Sequence, residues 1–310
     1  MEEADNDNLF DQRLNFPDRG ASNRFSALVG IDEVKARLVQ SLAILVNSNG
    51  LHEWAKKYHP KSDSIIGWVE RRPPLIILAG DVGTGKTELA STVGDPVARQ
   101  EGIEVLLLAL SLSSRGSGRV GEMTKLLTEA FEQTFKAAEK FRTSGSKTKG
   151  AVILLVDEAD AIVQSRENSQ MHHEDRAGVN AFIRGVDRLA DHHLPAAVVL
   201  CTNRLSAIDP AVQRRAAEIF KFDRPNPEQR LAVLEEPLTG VGFSVKQIQE
   251  IVDLVGPNAH RKYGFTYSDL TQRLLPVLVL DAYPHNGITF KRSLEVIKNI
   301  QPTPQFQDSK

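Results

Sequence analysis

The stretch PLIILAGDVGTGKT, Pro74–Thr87, decides the fold. Its apolar half is a buried strand, and it runs straight into Gly80-Asp81-Val82-Gly83-Thr84-Gly85-Lys86-Thr87, a match to G-x-x-x-x-G-K-[ST] in the strand, loop, helix setting that gives the pattern its meaning. The glycines let the backbone curl until its N–H groups and the following helix N-terminus face an anion. Lys86 then reaches the β and γ phosphates and Thr87 supplies a hydroxyl to Mg²⁺. The loop Gly80–Thr87 is the expected nucleotide-phosphate cradle.

Three further compact apolar runs, EVLLLAL, AVILLVD and AAVVLCTN, follow Pro74–Gly80 with helical stretches between them. A weaker strand is expected over Ala217–Asp223. Such alternation predicts an α/β domain with a parallel sheet covered on both faces. The third run delivers Asp157 and Glu158 to its C-terminal tip, one carboxylate to orient the Mg²⁺ shell through water and the next to polarise a water molecule. The fourth ends at Asn203, whose amide suits the attacking water or the γ phosphate, or alternatively starts a turn. RPNPEQ marks a boundary near Pro225, because Pro225 and Pro227 disfavour helix before them. Helical periods follow it, with GITFKR the one candidate strand. Before Ser26 no apolar period is sustained, and a flexible or partner-docked arm is expected there. This gives an arm over residues 1–26, a large αβα domain over 27–225 and a helical lid over 226–310.

A second glycine pattern, Gly116-Ser117-Gly118-Arg119-Val120-Gly121, imitates a dinucleotide fingerprint. The fingerprint needs its first glycine at the strand's end and an acid about 20 residues on. Here LSLSSR intervenes and the next strand begins only at Ala151, so a mobile glycine-rich loop is expected instead.

With 38 Lys+Arg against 40 Asp+Glu the net charge is -2, and no general nucleic-acid or membrane attraction follows. The one cysteine, Cys201, lies in an apolar run and is expected to be a buried strand thiol, which favours a reducing compartment. No apolar stretch approaches the ~20 residues of a membrane span, so a cytoplasmic protein is expected. The adjacent histidines His172-His173 and His192-His193 diverge on either element and are expected to be polar loop residues. Trp54 and Trp68 are expected to pack.

Taken in order, ALVGIDEVKARL, GDVGTGKT, VDEAD, CTNR and IDPAVQRRAAEIFKFDRPNPEQR resemble an AAA+ ATPase over Ala27–Pro284. The resemblance implies an AAA+ P-loop αβα sandwich with a helical lid, ATP and Mg²⁺ as cofactors, and a homo-hexameric ring. It also implies adenine contacts from Val29 and Gly30 and an arginine finger at Arg214 or Arg215. SRGSGRVGEMTKLLTEAF, RAGVNAFIRGVDRL and DLTQRLLPVLVLDAY are similar to the pachytene-checkpoint (thyroid receptor interactor) ATPases that remodel HORMA-domain proteins, especially short bacterial relatives in cyclic-oligonucleotide (CBASS) antiphage systems. On that likeness Gly118, Arg119, Val120 and Gly121 form the substrate pore loop. The partners implied are a HORMA-domain protein and an associated nucleotidyltransferase. In the lid, TYSDL stands at the second-sensor position with Arg273 one turn on. The competing readings are a nucleic-acid motor or loader of the same superfamily, with Arg115 and Arg119 on phosphates, and an ATP-binding scaffold without turnover. Glu158, Asn203 and Arg214 argue against the scaffold.

Overall fold

A computed structural model describes residues 9–111, 122–142, 148–159, 173–258 and 261–305. The first third of the chain forms β1 (Gln12–Phe16), α1 (Arg19–Ala27), α2 (Asp32–Val46), α3 (Ser48–Tyr58), α4 (Asp63–Glu70), β2 (Leu75–Gly80), α5 (Lys86–Thr92) and α6 (Gly94–Glu101). The middle holds β3 (Glu104–Ser111), α7 (Glu122–Phe141), β4 (Gly150–Asp157), α8 (His173–Asp191), β5 (Ala196–Thr202), α9 (Pro210–Gln213) and β6 (Ala216–Phe222). Helices α10 (Pro227–Gly240), α11 (Val245–Leu254), α12 (Leu275–Ala282) and α13 (Phe290–Asn299) complete it.

The six strands make one sheet in the order β1-β3-β4-β5-β2-β6. Strands β3, β4, β5 and β2 run parallel, and β1 is antiparallel at the edge. Every residue of β5 and the first five of β2 are buried, as a strand covered on both faces requires. On one face Ile77, Leu108, Leu154 and Val198 pack with Phe131 of α7 and Phe182 of α8, whose rings meet edge to face at 5.5 Å. Alternate residues such as Ile76, Ile153 and Val199 are equally buried on the other face. Cys201 is among them and is buried. Among the described residues no helix is long and apolar enough to cross a membrane.

Two compact units divide the chain. One comprises residues up to Phe25, Glu33–Ala79 and Thr87–Lys221; the other comprises Ser26–Asp32, Gly80–Lys86 and Phe222–Lys310. Of the expected large domain over 27–225, three short segments, residues 27–32, 80–86 and 222–225, fall in the C-terminal unit.

Two expectations are corrected. The segment before Ser26 contains an edge strand rather than only an arm: Gln12–Phe16 pairs with Val105–Ala109, and Leu9, Phe10 and Phe16 are buried. Its two apolar residues, Leu14 and Phe16, alternate over too short a run to show a period. GITFKR is not a strand, since α13 begins at Phe290, whose ring packs edge to face on Phe243 at 5.9 Å.

In the C-terminal unit a fully buried carboxylate, Asp269, organises the turn before α12. It accepts hydrogen bonds from the Thr266 and Thr303 amides, the Thr303 hydroxyl and Arg273 Nη1. Arg273 is therefore ion-paired within this unit at 2.6 Å. Burial opposes ionisation of Asp269, yet these donors outweigh it and hold the carboxyl below its ordinary value.

Phe16→Ala should lower the unfolding free energy by about 3–5 kcal/mol, the cost of truncating a buried aromatic; a urea titration matching wild type would show that the segment is a loose arm after all. Asp269→Asn should cost about 1.5–3 kcal/mol at neutral pH, the loss of charged hydrogen bonds. Because the folded carboxyl ionises at lower pH than the unfolded one, its stabilisation is complete above the ordinary carboxylate range and disappears as pH falls through the folded value. Urea titrations at pH 7 and pH 3 should therefore show the gap between Asp269→Asn and wild type closing in acid.

Candidate functional site

Parallel strands deliver their C-terminal ends to one edge of the sheet. Val156 stands beside Leu200 and Ala79 beside Thr202, so Asp157, Glu158 and Asn203 all emerge along that edge. Asp157 is half-buried, and its Oδ1 accepts the Glu158 amide at 2.9 Å. Glu158 is exposed and adopts φ 53, a left-handed conformation that side chains with a Cβ rarely take. Backbone strain of this kind costs ~1–3 kcal/mol and concentrates at functional sites. Thr202 Oγ1 accepts the Arg204 amide, a short turn that carries Asn203 off the end of β5.

The loop Gly80–Lys86 belongs to the C-terminal unit. Gly80 has φ 158, and a Cβ there would stand 2.0 Å from the Phe222 carbonyl oxygen, which no side chain tolerates. Gly83, at φ 74, would place a Cβ 2.7 Å from Thr266 Oγ1. Its carbonyl accepts the Ser268 amide at 3.0 Å. Lys86 is buried, and its Nζ donates to the carbonyls of Gly80 and Asp81, both at 2.8 Å. The ammonium is thus drawn back across the loop. Thr84 closes a tight turn onto the Asp81 carbonyl, while Val82 is exposed and its amide donates to Asp81 Oδ1.

Sequence reading missed what holds this loop. Arg224 Nε donates to Asp81 Oδ2 at 2.7 Å, with Nη2 2.6 Å from the same oxygen, and both side chains are largely buried. The guanidinium also donates to the Gly264 carbonyl and lies over the Tyr263 ring, 4.6 Å from its centroid. Across the turn that follows Ala27, Leu28 approaches Gly85, and Val29 is exposed. The Gly30 carbonyl accepts Gln229 Nε2 at 2.8 Å and the Tyr267 phenol at 3.3 Å. Val29 and Gly30 therefore share a unit with Gly80, Gly83, Gly85 and Lys86.

In the sheet unit, Arg214 and Arg215 differ sharply. Arg215 forms a two-pronged pair with Asp187, Nε to Oδ1 at 2.7 Å and Nη2 to Oδ2 at 3.0 Å, and Nη1 donates to the Ala211 carbonyl. Hydrogen bonding to Asp187 holds its pKa above the ordinary value. Arg214 is exposed and has no such anchor among the described residues. The expected pore loop, Gly118, Arg119, Val120 and Gly121, and His172 lie outside the described residues. His192 packs edge to face on Phe135, while Trp54 and Trp68 remain about half and two-thirds exposed (48% and 68%), so neither is a core residue.

Residues 76–224 match the family described as ATPase family associated with various cellular activities (AAA). The chain is 57% identical over 302 residues to CD-NTase-associated protein 6 of Escherichia coli (strain MS 115-1), covering 97% of each. It is similar to a chain in the structure of the E. coli MS115-1 HORMA:CdnC:Trip13 complex, with TM-score 0.89 and 56% identity over 96% of this chain and 97% of that one. Rhizobiales Trip13 is similar with TM-score 0.75 and 49% identity, over 95% and 99% of the two chains. Identity to that protein over nearly the whole length of both chains, together with the AAA match, places this chain in the CD-NTase-associated protein 6 family of AAA ATPases.

Proposed function

We propose that this chain hydrolyses ATP to ADP and phosphate as a Mg²⁺-dependent homo-hexamer in the cytoplasm, and spends that energy remodelling a HORMA-domain protein bound to a nucleotidyltransferase in an antiphage signalling system. The partners rest on its likeness to a chain of the HORMA:CdnC:Trip13 complex. The chemistry rests chiefly on one observation, the buried Lys86 ammonium drawn across a loop in which no Cβ fits at Gly80 or Gly83.

The donor set fits the cofactors. A cation on a Gly-rich helix entry suits phosphate oxygens, and the Thr87 hydroxyl with the Asp157 carboxylate is the hard oxygen pair that Mg²⁺ prefers. When bound, the metal neutralises charge on the β and γ phosphates. Gly80, Asp81, Val82, Gly83, Thr84 and Gly85 cradle the phosphates with their amides, and Lys86 exchanges loop carbonyls for phosphate oxygens. Thr87 would hold the metal, and Asp157 would act on it through water. Glu158 takes a proton from the attacking water, Asn203 orients that water, and Val29 and Gly30 meet the adenine. Gly118, Arg119, Val120 and Gly121 grip the polypeptide. Arg214 is the better finger of the two arginines, because reaching a neighbouring subunit's γ phosphate requires a guanidinium that is not held by Asp187.

Glu158→Gln should bind ATP and turn it over ~10²–10⁴-fold more slowly, the usual cost of losing a positioned base; turnover near wild type would refute the assignment. Arg214→Ala should lower hydrolysis by ~10³–10⁵-fold, as loss of a finger does, and mixing it with Lys86→Ala should restore part of the activity, each subunit supplying what the other lacks. Absence of recovery in rings shown to be mixed by native mass spectrometry would remove Arg214 from the site.

A further inference from the structure

Gln229 sits at the third position of α10 and carries two structural duties with its two amide atoms. Its Oε1 accepts the Asn226 amide at 2.9 Å while its own amide donates to Asn226 Oδ1, a reciprocal cap on the helix N-terminus. That bond settles which way the side-chain amide faces. Nε2 is left pointing outward, and it donates to the Gly30 carbonyl at 2.8 Å. The Tyr267 phenol donates to the same oxygen. Burial, reinforced by the Asp32 charge, pushes that phenol up to about 12, so it keeps its proton throughout the working pH range.

One carbonyl has two lone pairs, and here each faces a donor from the helical part of the unit. Gly30 has φ 82, a left-handed residue whose peptide orientation is not enforced by a side chain. Its neighbour Leu28 packs toward Gly85 of the phosphate loop. The turn therefore lies between the loop and the helix that caps on Gln229, and the two donors fix the orientation of its peptide.

We propose that Gln229 is a positioning residue for the nucleotide base: it locks the Gly30–Ile31 peptide, directly after Val29, to the N-terminal cap of α10, and thereby pre-sets the turn whose surface the base occupies. This rests on the reading that the nucleotide lies on Gly80–Thr87 with its base toward Val29 and Gly30. Two consequences follow. The Gly30 carbonyl is already committed, so base recognition falls to Val29 and to the other atoms of the turn. A change in the α10 cap, moreover, reaches the base without passing through the phosphate loop.

Gln229→Glu separates the two duties. A carboxylate still accepts the Asn226 amide, and an acid in the first turn suits a helix N-terminus, so the cap survives. It cannot donate, and it sets an anionic oxygen against the Gly30 carbonyl. The expected result is a Kd and a KM for ATP raised about tenfold, the scale of one lost hydrogen bond plus repulsion, with kcat within about twofold and a melting temperature lowered by only a few degrees in the absence of nucleotide. Tyr267→Phe, which removes only the longer bond, should shift KM in the same direction by less. Lys86→Ala is the control for the underlying reading. If it leaves ATP affinity intact, the nucleotide is not on the loop and the functional reading fails. If Lys86→Ala abolishes binding while Gln229→Glu leaves Kd and KM at wild-type values, Gln229 does not position the base. A Gln229→Glu protein that melts many degrees lower and loses kcat in step would likewise overturn the proposal, since it would reduce Gln229 to a helix cap.

Discussion

The carbonyl oxygen of Phe222 and the Cα of Gly80 are too close for any side chain to fit between them, a Cβ at Gly80 standing only 2.0 Å from that oxygen. This steric constraint shapes much of the C-terminal unit. The Gly80–Lys86 loop must leave its strand with bare backbone against the end of β6, and the chain that continues from β6 is the one that supplies Arg224 to Asp81 two residues later. Gly83 repeats the device against Thr266. The loop is thus packed closely against Phe222 and Thr266, both of the same unit. Those contacts account for the clustering of Gly80–Lys86 with the helical unit, although the rest of β2 and of α5 belongs to the sheet unit.

Asp81 shows how a charge in such a loop is managed. An unpaired carboxylate there would repel the phosphates that the loop is proposed to hold. Arg224 forms two contacts to one of its oxygens, the Val82 amide donates to the other, and Tyr263 covers the guanidinium. Since both side chains are largely buried, breaking the pair from either side leaves a desolvated charge, which is costly even where the intact pair contributes little net stability. We infer that the pair makes the loop and the start of the helical region respond together.

Much of this was legible in the sequence, and the reason is local. Four apolar runs became β2, β3, β4 and β5, and the fifth strand shifted by one residue to Ala216–Phe222. The loop was found because its chemistry demands fixed spacing. What escaped notice shares one property, dependence on partners far along the chain. Strand β1 exists because Phe16 and its neighbours can pair with β3, and a short edge strand need show little alternation of its own. Arg224 and Asp81 are 143 residues apart, Gln229 and Gly30 199 apart. No propensity or period records such a pairing. At Phe290, β-branched and aromatic residues suggested a strand, but packing on Phe243 within the helical core prevailed. For Gln229 a faint signal was present, since N-P-E-Q is an N-cap followed three residues on by a residue able to complete a capping box.

Adjacent arginines show how packing separates two residues that look alike in the sequence. Arg214 and Arg215 have the same charge and donors and sit side by side after α9. Their difference comes entirely from α8, which brings Asp187 opposite Arg215 and nothing equivalent opposite Arg214 among the described residues. A two-pronged carboxylate bond fixes a guanidinium plane as well as its position. Arg215 therefore ties α8 to α9 at the start of β6, while Arg214 beside it is exposed. The same side-chain chemistry thus gives a structural anchor at one position and a solvent-facing guanidinium at the next, because, among the described residues, only one of the two meets a carboxylate from a distant helix.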